Sequence, residues 1–289
     1  MCRLYGFRAN EPTKVECTLV HSQNALLTQS RGDQRGKPNA DGWGIATYQN
    51  STPYIEKHET AAFSSLHFSV AAERLYTNTV LAHVRRATVS EPALANTHPF
   101  TYGHWVFAHN GTLRGFDQLA PQLERETPTE YLQIRGGSTD SELMFCWLLG
   151  RMAADGVTPM ARCADPARLV NTVREATREL ARRSADTGAT PPAELNFLLT
   201  DGATMIASRW HNSLHWLQRE GVHDCEICGI PHLRHDESVP YHAVVVASEP
   251  LTHERWQEVP DGGIVVVHDD LKSMLVTTNG TPSRGQGAN

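Results

Sequence analysis

A change of period along the chain limits what it can fold into. Short strand-like runs at residues 3–7, 44–48, 79–83 and 105–108 are bounded by turn signals at Asp41-Gly42 and Asn110-Gly111. Helical stretches fall between them, around residues 22–30 and 61–75. Two helices then follow in succession. The first opens at Thr139, with Glu142 three residues on as in a capping box, and runs through Leu143, Met144, Trp147 and Leu148. The second opens at Asp165-Pro166 and puts Leu169, Val173, Ala176 and Leu180 on one face. Arg168, Arg174, Arg178, Arg182 and Arg183 lie largely off that face and read as a solvated surface. After Pro191-Pro192 the period returns to two, at residues 195–199, 205–209, 214–217, 243–247, 264–267 and 274–277. Strands, consecutive helices and strands again predict two packed sheets flanked by helices, not a βαβαβ alternation.

Composition narrows the function classes. A net charge of −6 with no basic block argues against a nucleic-acid partner. The longest strand-like apolar runs, residues 243–247 and 264–267, are far too short to span a bilayer. The start, MCRLYGF, lacks the basic and apolar segments of a secretory signal. Six irregularly spaced cysteines in 289 residues do not read as a disulfide framework, so a cytoplasmic location is expected. One domain is expected over residues 1–280, with an inserted segment at about 220–239 and a frayed tail at 281–289.

The second residue carries the first chemical signal. If Met1 is removed, Cys2 holds a thiol and an α-amino group together, and the amine can serve as general base toward its own thiol. Alone, such a position is more often an incidental cysteine. Asn110 and Gly111 follow an apolar strand, and the Asn amide with the Gly N–H would make two donors for an oxyanion, although Asn-Gly is also the commonest hairpin turn. Asp140 opens a helix, where it suits a substrate α-ammonium or serves as an ordinary first-turn acid. Arg85 ends a strand, and its fork suits a carboxylate.

The stretches MCRLYGF, NADGWGIATY, LAHVRRAT, NTHPF, WVFAHNGTL, GGSTDSELMFCWLL and NFLLTDG together resemble the class II glutamine amidotransferases, closest to the stand-alone YafJ-like subfamily. The likeness continues through LHWLQR, VVVASEPLTHERW and VPDGG, so it covers nearly the whole chain. It implies an α+β N-terminal-nucleophile (Ntn) hydrolase fold, a four-layer αββα sandwich of two mainly antiparallel sheets. It implies Cys2 as nucleophile, Asn110 and Gly111 as oxyanion hole, Arg85 and Thr88 at the glutamine carboxylate, and Asp140 at its α-amino group. His98 lies near the pocket in that pattern, as a packed histidine or a substrate contact. Asp41 and Trp43 are expected to be scaffold, and Arg86 to serve a neighbouring helix or a longer substrate.

The implied reaction cleaves the γ-glutamyl amide of glutamine or a small γ-glutamyl conjugate through a thioester, without cofactor or metal. Two enzyme readings follow: a free-standing γ-glutamyl hydrolase, or a glutaminase supplying ammonia to a separate synthetase. The first is favoured, because no room for a synthetase domain and no GxxxxGK phosphate loop are apparent. An inactive scaffold should have lost Cys2, Asn110 or Asp140, and all are present. A homodimer is compatible with the chain and not dictated by it.

Cys225 and Cys228 stand apart from that pattern. With His232 and His235 they offer four zinc ligands, at a tight histidine spacing; redox use and an ordinary reduced loop are the alternatives. Cys17, Cys146 and Cys163 have no such neighbours in sequence, and no metal ligand is assigned.

Overall fold

The computed structural model describes residues 2–32, 36–88, 90–233, 239–276 and 282–284. The first half holds strands β1 (Arg3–Lys14), β2 (Trp43–Gln49), β3 (Thr52–His58), β4 (Tyr76–Val84), β5 (Phe100–Tyr102) and β6 (Trp105–Thr112). The second half adds β7 (Glu194–Thr200), β8 (Met205–Ser208), β9 (His215–Glu220), β10 (His242–Ala247), β11 (Gln257–Glu258), β12 (Ile264–Val267), β13 (Ser273–Val276) and β14 (Pro282–Arg284). Helices α1 (Leu26–Arg31) and α2 (Leu66–Arg74) come early; α3 (Phe116–Glu126), α4 (Thr129–Leu132), α5 (Asp140–Ala154) and α6 (Pro166–Asp186) fill the middle. The strands form two seven-stranded sheets, ordered β11-β9-β10-β1-β4-β2-β3 and β14-β13-β12-β8-β7-β6-β5. Every described pairing is antiparallel.

Strand alternation divides the apolar side chains among three layers. Leu4, Leu81, Val106, Ala108, Leu198 and Val265 pack between the sheets. Tyr5, Phe7 and Ala9, the other parity of β1, meet Leu26 of α1 and Phe68 and Ala72 of α2 on the outer face of the first sheet. Phe107 and Leu199 meet Leu143 and Trp147 of α5 and Leu169, Val173 and Leu180 of α6 on the outer face of the second. The result is the expected αββα sandwich, with two sheets flanked by helices.

Several local expectations need correction. Asn110-Gly111 is not a turn: β6 runs on through both residues, paired Asn110 to Asn196 and Gly111 to Leu195. The turn lies instead at Asn50-Ser51, both with positive φ (47° and 71°), joining β2 to β3. Helices α3 and α4 add to the two that the periodicity predicts. The cap at Thr139 is half a capping box. Its hydroxyl accepts the Glu142 N–H at 3.1 Å, but the Glu142 carboxylate takes the N–H groups of Gly136 and Gly137 (2.9 and 2.8 Å). The arginine face is not all solvated, since Arg183 reaches Glu126 (2.8 Å) and Glu179 (2.5 Å) and lies over Trp147. Pro282–Arg284 of the expected frayed tail pair with β13, where a proline is tolerated at a sheet edge. Thr277, placed at the end of a strand by periodicity, lies outside the described residues.

Candidate active site

Three chain segments leaving the ends of strands meet the start of a helix here. Arg3 at the beginning of β1 pairs with Val84 at the end of β4, so Cys2 and the Arg85–Thr88 segment lie side by side. The end of β6 supplies Asn110 and Gly111, and the first turn of α5 supplies Asp140.

Cys2 is buried, and its sulfur is gripped by one backbone unit. The Arg86 N–H donates to Sγ at 3.2 Å, and the thiol can donate back to the Arg86 carbonyl at 3.4 Å. Burial pushes the thiol pKa up, while the Arg86 N–H and the positive charges of Arg85 and Arg3 pull against it. Resting as a thiol, it needs a base to become a nucleophile. Thus Arg86 acts here through its backbone, a contribution that no side-chain motif reveals.

Arg85 is held by the turn ahead of β2. The Asp41 N–H donates to the Arg85 carbonyl (3.0 Å), the Arg85 N–H donates to the Gly42 carbonyl (2.7 Å), and Asp41 Oδ2 accepts the Ala87 N–H at 2.8 Å. The Arg85 guanidinium donates to the Ser90 carbonyl and hydroxyl at 3.2 and 3.0 Å. Trp43, wholly buried behind this turn, serves as the expected scaffold.

Asp140 sits in the first turn of α5, accepting the Leu113 N–H at 2.7 Å and the Ser141 N–H at 2.8 Å. A carboxylate offers about four lone-pair directions, so acceptor capacity remains. Gly111 is required by space: a Cβ there would fall 1.8 Å from the Glu194 carbonyl oxygen. Asn110 is buried, with its amide N–H donating to Ser248 Oγ at 3.3 Å and its Oδ1 without a partner.

Cys2, Arg85, Thr88, His98, Gly111 and Asp140 line one cavity of about 20 Å³. Asn110 lies one residue before Gly111 on β6 but outside that lining, with its amide turned to Ser248. Room for about one water exists there, so a glutamyl group must displace its lining. A larger cavity, about 910 Å³ beside Cys163, His242 and Asp269, contains none of these residues.

His98 and His109 line this cavity, and His83 packs against His98. His83, His98 and His109 are buried, and burial lowers all three pKa values, His83 to about 3. His109 is hydrogen-bonded to Ser141 Oγ (2.9 Å) and the Glu194 carbonyl (3.0 Å). The His98 ring lies 4.3 Å from that of His83, tilted by 38°, and neither of its ring nitrogens has a hydrogen-bond partner. His98 is therefore packed, but without the hydrogen bonds usual for a buried ring.

Residues to which the sequence assigned no role also hold Cys2. Arg3 donates to the Cys2 carbonyl at 3.1 Å and pairs with buried Glu249 at 2.5 Å. Ser248 Oγ accepts the Leu4 N–H at 2.9 Å while receiving the Asn110 amide. Arg3 falls in the MCRLYGF stretch, and Ser248 and Glu249 in VVVASEPLTHERW, directly after the apolar run of β10.

A two-sheet αββα sandwich with a cysteine at the head of a central strand defines an N-terminal-nucleophile hydrolase of the cysteine type. The profile of the glutamine amidotransferases class-II matches residues 1–286, and the chain belongs to that family. It is 30% identical to the probable glutamine amidotransferase DUG3 of Saccharomyces cerevisiae, covering 92% of this chain and 82% of that protein. It is 27% identical to the gamma-glutamyl-hercynylcysteine sulfoxide hydrolase of Mycobacterium tuberculosis, covering 92% and 93%. A glutamine aminotransferase class-II domain protein from Silicibacter pomeroyi superposes with a TM-score of 0.62 at 22% identity, covering 96% of this chain and 99% of that one. No helix among the described residues is long and apolar enough to cross a membrane.

Proposed function

We propose that the protein hydrolyses the γ-glutamyl amide bond of a small conjugate, with Cys2 as nucleophile, in one catalytic domain over residues 1–280. The observation that carries this reading is the shared cavity: six of the seven residues singled out in the sequence line it. Removal of Met1, which lies outside the described residues, frees the Cys2 α-amine to take the thiol proton. The thiolate attacks the γ-carbonyl, and the oxyanion is met by the Gly111 N–H and by the Asn110 amide once it leaves Ser248. The Arg85 fork, with the Thr88 hydroxyl beside it, exchanges Ser90 for the substrate carboxylate, and Asp140 receives the α-ammonium. His98 lines the pocket and offers its unpartnered ring nitrogens as a substrate contact. The terminal ammonium protonates the departing amine, and water then releases glutamate from the thioester.

A free-standing hydrolase is favoured over an ammonia donor by the mycobacterial relative, which is named as a hydrolase of a γ-glutamyl conjugate. The yeast and mycobacterial relatives are matched over 82% and 93% of their own chains, leaving little of either for a synthetase domain. The likeness over residues 214–219 and 244–256 supports the stand-alone YafJ-like group as the subfamily.

The test is glutamate release from glutamine, glutathione and γ-glutamyl conjugates of histidine-derived thiols, with Met1 removal checked by intact mass. Strong preference for a conjugate is expected. Activity on glutamine alone would point to an ammonia donor, and undiminished turnover with Met1 retained would sink the assignment of the base.

A further inference from the structure

Past the far end of β1, the fold assembles a second group of reactive side chains. The ligand atoms of Cys17, Cys225, Cys228 and His232 all lie within 4.8 Å of one another. The sequence pattern leaves Cys17 solitary and pairs the two later cysteines with His232 and His235; among the described residues the fold brings Cys17 to Cys225, Cys228 and His232. Cys17, in the helical turn Cys17–His21 after β1, is the fourth member, and His235 lies outside the described residues.

We propose that these four side chains form a structural zinc site that fastens the segment between β9 and β10 to the end of β1. Three cysteines and one histidine make a standard closed tetrahedral set, with no open position for substrate. A tetrahedron with Zn–S bonds of about 2.3 Å has edges of about 3.8 Å. The four atoms therefore need to draw in by at most about 1 Å from their 4.8 Å limit, and Cys228 Sγ and His232 Nε2 already stand 3.1 Å apart.

The surrounding backbone suits charged sulfur and a fixed imidazole. Cys225–Ile230 is a tight loop: Gly229, at φ 72°, donates its N–H to the Cys225 carbonyl at 2.8 Å, and the Cys225 N–H donates to the Ile230 carbonyl at 3.1 Å. The Ile227 N–H points at Cys225 Sγ from 3.4 Å, a donor for a thiolate. The Lys14 N–H donates to the His232 carbonyl at 2.9 Å, so the backbone of this residue is tied to β1.

The segment needs such a fastening. Residues 221–233 contain no helix or strand, and Ile227 and Ile230 are exposed. Of its apolar side chains, Val222 and Leu233 pack against the outer core of the first sheet. Binding would release three thiol protons to solvent and leave Zn²⁺ with three thiolates and a neutral imidazole; nothing is oxidised or reduced.

Elemental analysis and native mass spectrometry of untagged, reduced full-length protein test this, after expression in zinc-supplemented medium. One zinc per chain is expected, about 63 Da above the metal-free mass once charge is accounted for (zinc less two protons). Cys17→Ser and Cys228→Ser should each lower the content at least fivefold, whereas Cys146→Ser and Cys2→Ala should retain it. Stripping the wild-type protein with a strong chelator should expose 221–241 to protease, and added Zn²⁺ should restore protection; this readout stands even if the variants fail to fold. Less than one zinc per five chains overturns the proposal, as does stoichiometric iron, or a mass 2 Da light from a disulfide with no metal. None of these results depends on the glutamyl chemistry at Cys2.

Discussion

The two ends of β1 each carry a cysteine, and they differ in everything that decides what a cysteine does. At the head of the strand, Cys2 is one sulfur among nitrogen donors: the Arg86 N–H touches it, and Arg85 and Arg3 contribute positive charge. Past the other end, Cys17 meets two further thiols and an imidazole. The first setting favours one transient thiolate facing a substrate carbonyl. The second would crowd three thiolates together, which a divalent cation relieves. Burial is common to both, so burial does not distinguish a nucleophile from a ligand; the neighbours do.

The sharpest way to break this comparison is Cys2→Ala. Glutamate release should fall at least about 1,000-fold, as when an enzyme loses its nucleophile, with the thermal midpoint unchanged. Residual turnover within tenfold of wild type would move the chemistry elsewhere. Next comes Asn110→Ala, which removes one of two oxyanion donors and should lower kcat about 100- to 1,000-fold with KM little changed. If KM alone changes, the Asn110 amide stays with Ser248 throughout and is a scaffold. Arg85→Gln should raise KM about tenfold or more for substrates with a free α-carboxylate, and have less effect on a substrate carrying an ester there.

How much of this difference the sequence discloses follows from geometry. Cys2, Arg85, Gly111 and Asp140 are legible because each lies at the end of a periodic run, where a short motif and a strand or helix terminus coincide. Layers are legible for a similar reason: strand alternation in β1 assigns Leu4 and Tyr5 to opposite faces. Contacts set by strand register are not. Cys17 reaches Cys225 only because β10 pairs with both β1 and β9, placing the β9–β10 connection beside the end of β1. Backbone roles are equally silent, as with Arg86 at the Cys2 sulfur. Asn110-Gly111 misleads as a turn because the dipeptide has two uses, and here the space beside Glu194 decides.

The histidines sharpen the comparison by pH. His98 and His109 line the Cys2 cavity with His83 packed against His98, and burial holds all three folded-state pKa values below the ordinary 6.5, that of His83 at about 3. Between those limits the unfolded chain binds more protons, so stability is lost as pH falls below 6.5. Each fully suppressed histidine contributes a slope of about 1.4 kcal/mol per pH unit. Urea midpoints should therefore drop steeply from pH 6.5 to 4.5, and His83→Gln should flatten that slope. An unchanged slope would mean that the ring charges readily where it lies.

The smallest effect on turnover is expected from Cys17→Ser, and it discriminates between the two ends most cleanly. The sulfur lies beyond the last residue of β1, whereas Cys2 precedes the first, and twelve residues of strand at about 3.3 Å each separate them. That strand is held on both sides, by β4 and by β10, so loosening one end need not move the other. Turnover should stay within about twofold of wild type, as for substitutions far from a shared partner. The thermal midpoint should nevertheless fall by several degrees, in line with a loss of about 1–2 kcal/mol when a local staple is removed. A parallel collapse of turnover at a temperature where the variant remains folded would show that β1 transmits strain along its length, and the two ends would then have to be treated as one site.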